Sequence, residues 1–413
     1  MTEPFDPIEP PSNPVFLPPP PGFGPEESES PGVGSEEPSG NRWLLIIGAI
    51  IGILVLVAGL LALLENVEQP SDAVAGADEP ATSEPFENEG EQTEPFESPS
   101  DDPGPGNPLN AEFRPDSVAV GAESVWVSDF SCGVVVKIDP QQMMVESAID
   151  LGGSASGVTF ADGSVWVGNR LLSQVTRLDP ATTRIEATIP IPGLALGLAA
   201  GDGTVWAVDP IGSVVYRIDP ATNEVAGTIG VGLLPHHIVF ADGIAWVANN
   251  SDDSVSRIDT AEDVPTAVDR GVGAGPLHVT VADDSAWVTN SNGGTVSRLD
   301  SLTGRLQATI EVSPRPHALA SAEGSIWVGT EIGDLWRIDP ATNEAELVPG
   351  AEFDSIDMAV DGSNIWVADA DASEVVRFDA ASAEVSDRID LAEFGDCETF
   401  RNRAVEPPIT DVA

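Results

Sequence analysis

The chain contains four histidines, His236, His237, His278 and His317. Each stands nine or ten residues before a tryptophan, namely Trp246, Trp287 or Trp327. Imidazoles ligate metals and exchange protons near neutral pH, so a shared register turns four scattered residues into candidates for one site. The equivalent positions in the other repeats hold Asp116 and Ser117, Ser156 and Gly157, Leu196 and Gly197, and Ile356 and Asp357. Imidazoles beside Asp116 and Asp357 make a nitrogen and oxygen donor set suited to a divalent metal, or to a general base acting on a bound ligand. Pro235-His236 and Pro316-His317 also fit plain turn filling, and no other cofactor signature accompanies them.

The tryptophans provide the register. Trp126, Trp166, Trp206, Trp246, Trp287, Trp327 and Trp366 recur at intervals of 40, 40, 40, 41, 40 and 39 residues. A period of about 40 to 45 residues with four short strands per unit is that of a propeller blade. The fold class is therefore all-β, a seven-bladed β-propeller. Around Trp246 the strands are expected at His237 to Ala241, Ile244 to Ala248, Ser254 to Ile258, and near Thr266 to Val272. The third turn is spelled Asp-Pro-Ala-Thr at Asp179, Asp219 and Asp339, where Asp accepts from the amides ahead of it and Pro presets the next φ. In such a ring the histidines fall at the start of the innermost strand, at the channel mouth on the face of the inter-blade loops. His236, His237, His278, His317, Asp357 and Asp116 are the candidate ligand-binding residues.

Two further sets share a register. Lys137, Arg177, Arg217, Arg257, Arg298, Arg337 and Arg377 each lie two before the Asp that ends the third strand. That spacing puts base and acid on one strand face, where pairing within or between blades is the expected role. Each Trp ring is expected to pack between adjacent blades. Cys132 and Cys397 are the two cysteines; they flank blades one and seven, which a ring makes neighbours, so a disulfide would staple the closure. Asp369, Asp371 and Ser373 have the alternate spacing of a calcium loop's first ligands, without its glycine or its distal Glu.

Composition divides the remainder. Residues 1–42 are rich in Pro, Glu and Ser and hold eight acids against Arg42, too polar for a core; they read as a disordered cytoplasmic tail. Residues 43–64, Trp43 to Leu64, carry no charge, and at about 1.5 Å per residue they are long enough for a transmembrane helix across roughly 30 Å of hydrocarbon. Residues 65–110 form an acidic Pro/Gly-rich linker, residues 111–391 the propeller, and residues 392–413 a tail. Arg42 at one end of the apolar run, with Arg114 the next base beyond it, puts the N-terminus in the cytoplasm and the propeller outside. Glu84-Pro85-Phe86-Glu87 and Glu94-Pro95-Phe96-Glu97 are near-repeats within the linker.

The net charge of −51 repels nucleic acid and anionic lipid surfaces. The expected partners are the membrane, through the single span, and a protein or small-molecule ligand of the cell envelope. Lysine occurs once, at Lys137, and an acid-rich, lysine-poor surface suits a salty medium in which screening relieves self-repulsion.

Ser254-Val255-Ser256-Arg257-Ile258-Asp259 and Ile218-Asp219-Pro220-Ala221-Thr222-Asn223-Glu224-Val225 resemble the YVTN-type repeats of bacterial propellers, and the likeness runs through all seven copies. Blade six, from Arg315-Pro316-His317 through Ile326-Trp327-Val328-Gly329-Thr330-Glu331, resembles the virginiamycin B lyase type. That resemblance implies a seven-bladed propeller in which a metal and a channel histidine open a cyclic ester. The last blade of such lyases carries a catalytic His ten before its Trp, an acid two residues earlier, and a Glu four after the Trp. Ile356, Asp354 and Ala370 stand there in this chain, so the acid alone matches and the base is missing. Together these features point to a membrane-anchored binding or ligand-sensing propeller; a metal-dependent lyase or lactonase at the His-lined mouth is the alternative.

Overall fold

Strands of Val, Ile, Thr and Trp at period two, punctuated by Asp-Gly turns, build 28 short strands in the computed structural model, which describes residues 113–260, 264–392, 397 and 399, with backbone alone over 264–270. They form seven four-stranded antiparallel meanders. The first runs from its innermost strand, Pro115–Gly121, to its outermost, Met144–Asp150, and the seventh from Ser355–Asp361 to Glu384–Asp390. No strand is exchanged at the closure, because each of these two sheets is built from consecutive strands. In the fourth blade the strands are Pro235–Ala241, Ile244–Asn249, Ser254–Asp259 and Val264–Arg270. The outermost begins two residues earlier than Thr266, since Val264 already pairs with Asp259 and a bulge between Arg257 and Ile258 absorbs the offset.

Each Trp is the third residue of its blade's second strand and is at most 2% exposed. The rings join one blade to the next by a repeated contact. Trp126 shares a core with Val165 and Val167, and Trp166 with Val205 and Ala207. Trp206, Trp246, Trp287 and Trp327 do the same with the pairs flanking the next tryptophan. Trp366 packs on Val125 and Val127 of the first blade, so the ring closes by the same packing that builds it.

The basic residue of the third strand lies directly across from the Trp, as in Trp166 opposite Arg177. All seven cations sit over their rings, at 4.9 to 5.9 Å from the centroid. Some of their contacts stay within the blade, as Lys137 with Glu146 and Arg337 with Ser325 Oγ, and others reach the following blade. Arg177 donates to Pro220 O at 2.7 Å, Arg298 to Pro340 O and Asn343 Oδ1, and Arg377 to Pro140 O at 2.8 Å across the closing seam. The Asp two residues on is occupied otherwise: Asp179 Oδ1 accepts from the amides of Ala181 and Thr182 at 2.8 and 2.9 Å. Base and acid thus share a strand face but serve different partners, one tying blades together and the other closing its own turn.

At the seam Cys132 and Cys397 form a disulfide with Cα atoms 4.9 Å apart. Ser373 Oγ donates to Phe113 O at 2.6 Å beside it. The apolar run of residues 43–64, the flanking acidic segments and their near-repeats lie outside the described residues. Among the described residues no helix is long and apolar enough to cross a membrane.

Candidate functional site

The innermost strand of six blades starts with a register shift. It falls between Pro115 and Ser117, Ala155 and Val158, Pro235 and Ile238, Pro276 and Val279, Pro316 and Leu319, and Ser355 and Asp357. A bulge leaves residues unpaired and re-aims their side chains. In blades two, four, five and six it leaves the positions nine and ten before the Trp unpaired, and in blades one and seven position ten alone, so adjacent residues such as His236 and His237 both line the channel mouth.

All six candidate residues converge there. His236, His237, His278, His317, Asp116 and Asp357 line one cavity of about 600 Å³. The His237 and His278 rings stack at 4.1 Å and 17°, and His317 lies 5.0 Å and His236 6.0 Å from His278. His278 Nδ1 is 4.0 Å from Asp357 Oδ1. The next blades contribute almost no side chain at this level. A Cβ on Gly157 would stand 2.5 Å from Leu196 O, and one on Gly197 2.8 Å from His236 O. The close inner strands of blades two to four therefore exclude side chains at these two positions, and the cavity opens over their backbone.

Hydrogen bonds assign tautomers. His317 Nδ1 faces Ile356 O at 2.8 Å; a carbonyl only accepts, so Nδ1 holds the proton and Nε2 keeps its lone pair. His237 Nδ1 accepts from the Val279 amide at 3.4 Å, so its neutral ring is protonated at Nε2. His236 Nδ1 is buried with no hydrogen-bond partner among the described residues. Asp357 is the most firmly held member of the set: Ser117 Oγ and the Val118 amide donate to Oδ2 at 2.7 and 3.0 Å, and the Met358 amide to Oδ1 at 2.9 Å.

Burial sets the charges. It pushes His236 down to about 3 and His237 and His317 to about 4, with the neighbouring imidazoles or cations adding to the shift, and drives His278 well below its ordinary range. Burial raises the carboxyls in turn, Asp116 and Asp357 to about 6 and Asp354 to about 7, the last also through Asp371, Asp369 and Glu331. Near pH 7 the mouth accordingly presents four neutral imidazoles beside carboxylates, which is the protonation state of a metal-ligating or proton-accepting site.

The cavity also holds residues that the histidine register does not reveal. Arg114, Arg315 and Asp354 stand twelve before their tryptophans, and Phe130, Arg170, Glu331 and Ala370 four after. Arg170 lies over the Phe130 ring at 4.9 Å, and Arg315 pairs with Glu331 at 2.5 Å. The second group is positioned by a buried polar residue ending the second strand. Asn169 Oδ1, for instance, accepts from the Leu172 amide at 3.0 Å and closes the turn that presents Arg170. Counting four residues on from every Trp would have found them. Asp369, Asp371 and Ser373 do not converge on a cation: Asp369 caps the Ala372 amide at 3.1 Å, exposed Asp371 lies 3.9 Å from Arg114, and Ser373 bonds to Phe113.

No protein-family model matches the chain, and no curated protein does. Solved structures do. Virginiamycin B lyase from Staphylococcus aureus superposes with a TM-score of 0.56 at 18% identity, over 64% of this chain and 94% of that one. A catalytically inactive His-to-Ala variant of the same enzyme with quinupristin gives 0.56 at 18%, over 63% and 93%. Kuenenia stuttgartiensis hydrazine synthase gives 0.53 at 15%, over 58% and 87%. At these identities the likeness is one of fold: with seven blades closed by one repeated contact, the chain is a seven-bladed β-propeller, the architecture it shares with virginiamycin B lyase.

Proposed function

We propose that the chain is a single-pass membrane protein whose extracytoplasmic propeller binds a small cell-envelope ligand, as a receptor or sensor, in the cavity at the channel mouth. The observation that carries this reading is the gathering of every histidine with Asp116, Asp357 and three arginines in one cavity. The mouth-facing positions differ from blade to blade, whereas the opposite face repeats the same Asp-capped turns. Variation confined to one face marks residues that the fold does not require. Exposed Leu171, Ile211, Leu233 and Ile332 stand in turns and loops of that same face and suit an amphipathic ligand.

Melting of the purified full-length chain against cell-envelope small-molecule fractions, with and without chelator, tests the reading. A ligand that raises the melting temperature should lose its effect in Arg170→Glu and His236→Ala. Shifts that survive both substitutions, or no shift with any fraction, would refute it. Membrane topology is tested separately, since protease added to intact spheroplasts should digest the propeller, and protection would contradict an outside location.

The second reading is a metal-dependent lyase or lactonase. His317, with Nε2 free of its proton, and Glu331 in the same cavity favour it, as does the likeness to a lyase structure with quinupristin. Ile356 and Ala370 weigh against it, because both line the cavity without a donor or a base. Incubation with a cyclic ester of the quinupristin class should leave the ring intact; opening at a rate abolished by His317→Ala would favour the enzyme.

A further inference from the structure

We infer that His237, His278 and Asp357 form a mononuclear site for a divalent transition metal, zinc in character, at the mouth of the central channel. This rests on the ligand-site reading above and gives it a Lewis acid. One donor atom from each residue lies within 4.8 Å of the other two. Three donors so spaced all lie within about 2.8 Å of some common point, against bonds of about 2.0 to 2.2 Å to zinc. Each donor therefore needs to advance by only about 0.7 Å, within the reach of small side-chain rotations, with His237 Nδ1 exchanging its long 3.4 Å contact with the Val279 amide for the metal.

The donor chemistry narrows the ion. Two imidazoles and one carboxylate suit zinc, cobalt or nickel, while magnesium and calcium take oxygen ligands. Thiolate is unavailable, because Cys132 and Cys397 are joined to each other. The surrounding contacts match those of a metal ligand. Ser117 Oγ, the Val118 amide and the Met358 amide fix the Asp357 carboxylate, the kind of outer support that orients ligating carboxylates. His278 is held from its backbone, whose amide donates to Thr289 Oγ1 at 3.0 Å, and its ring sits at 4.0 Å from Asp357, beyond hydrogen-bond range. A cation between the three would join an imidazole and a carboxylate that stand too far apart to hydrogen-bond directly.

These donors come from blades four, five and seven. They are separate from the positions at which the lyase resemblance would look for a base and an acid in the last blade, Ile356 and Ala370. Three protein ligands leave coordination positions facing the cavity, where Arg170 and Arg114 supply positive charge. An anionic oxygen donor, such as a ligand carboxylate, is the chemistry that would complete the sphere.

The test uses the full-length chain in detergent, stripped with chelator and titrated calorimetrically with zinc chloride in millimolar magnesium, which saturates the weak sites of an acidic surface. One zinc per chain is expected, with affinity lowered at least about 100-fold in His278→Gln and in Asp357→Asn. Zinc-edge X-ray absorption of the unsubstituted protein should show two imidazoles in the coordination shell, and this result does not depend on variants folding. A titration with no site surviving magnesium, undiminished affinity in both folded variants, or an all-oxygen shell without imidazole would overturn the inference. Stabilisation by a ligand in chelator would then leave the binding reading standing by itself.

Discussion

At the residue scale, burial at the channel mouth acts on acids and bases in opposite directions, and stability inherits both signs. The folded pKa of His236 is depressed to about 3, so its contribution is intact above the unfolded value near 6.5 and is lost as pH falls from there toward 3. The folded pKa of Asp354 is raised to about 7; its contribution is intact below the unfolded value near 3.8 and is lost as pH rises through 7. Replacing His236 by Gln should flatten the acid limb, so that melting measured between pH 6.5 and 4 drops less than in the unsubstituted protein; an equal drop would show that His236 titrates normally. Asp354→Asn should flatten the limb between pH 4 and 7 in the same assay. The residues responsible were unevenly visible in the sequence. His236, His237, His278 and His317 stood out because a strand position has a fixed distance to its Trp, whereas Arg170 and Glu331 sit in turns whose sequences share no pattern beyond their distance from it.

At the scale of elements, every blade is joined to its neighbour by the Trp core, and at Arg177, Arg257, Arg298 and Arg377 also by the cation above the ring. Arg298 covers Trp287 at 4.9 Å, receives Ser285 Oγ as an acceptor at 2.9 Å, and reaches the next blade at Pro340 O and Asn343. Its replacement by Gln should cost about 1 to 3 kcal/mol, read as a lower denaturation midpoint. Arg298→Lys should recover only part, since an ammonium cannot fork to two acceptors. An unchanged midpoint in the Gln variant would mean that these contacts add nothing to the Trp packing. Strand order and the Asp-capped turns were legible because Val, Ile and Thr at period two and Asp-Pro-Ala-Thr are local signals. The bulges opening the innermost strands were not, because no shared local residue pattern marks them, and they are what lets two consecutive histidines face one cavity.

At the scale of the molecule, closure and charge govern stability. The seam repeats the Trp packing of every other interface and adds the Cys132–Cys397 bridge over a sequence separation of 265 residues. Reduction, or Cys132→Ala with Cys397→Ala, should lower stability by up to about 5 kcal/mol on chain-entropy grounds, and a melting temperature indifferent to reductant would refute a structural role. A net charge of −51 should make melting rise with salt from low to molar concentration as self-repulsion is screened; a flat response would remove the case for a saline habitat. Because all four histidines lie in the cavity, the imidazole spectrum of the whole protein reports on one site. Heteronuclear NMR of histidine-labelled full-length chain, recorded near pH 7 as zinc is added, should show two of the four rings shifting and saturating at one equivalent, with those two lost in His237→Gln and His278→Gln. Four rings unmoved by zinc and by every cell-envelope fraction would contradict a functional channel mouth.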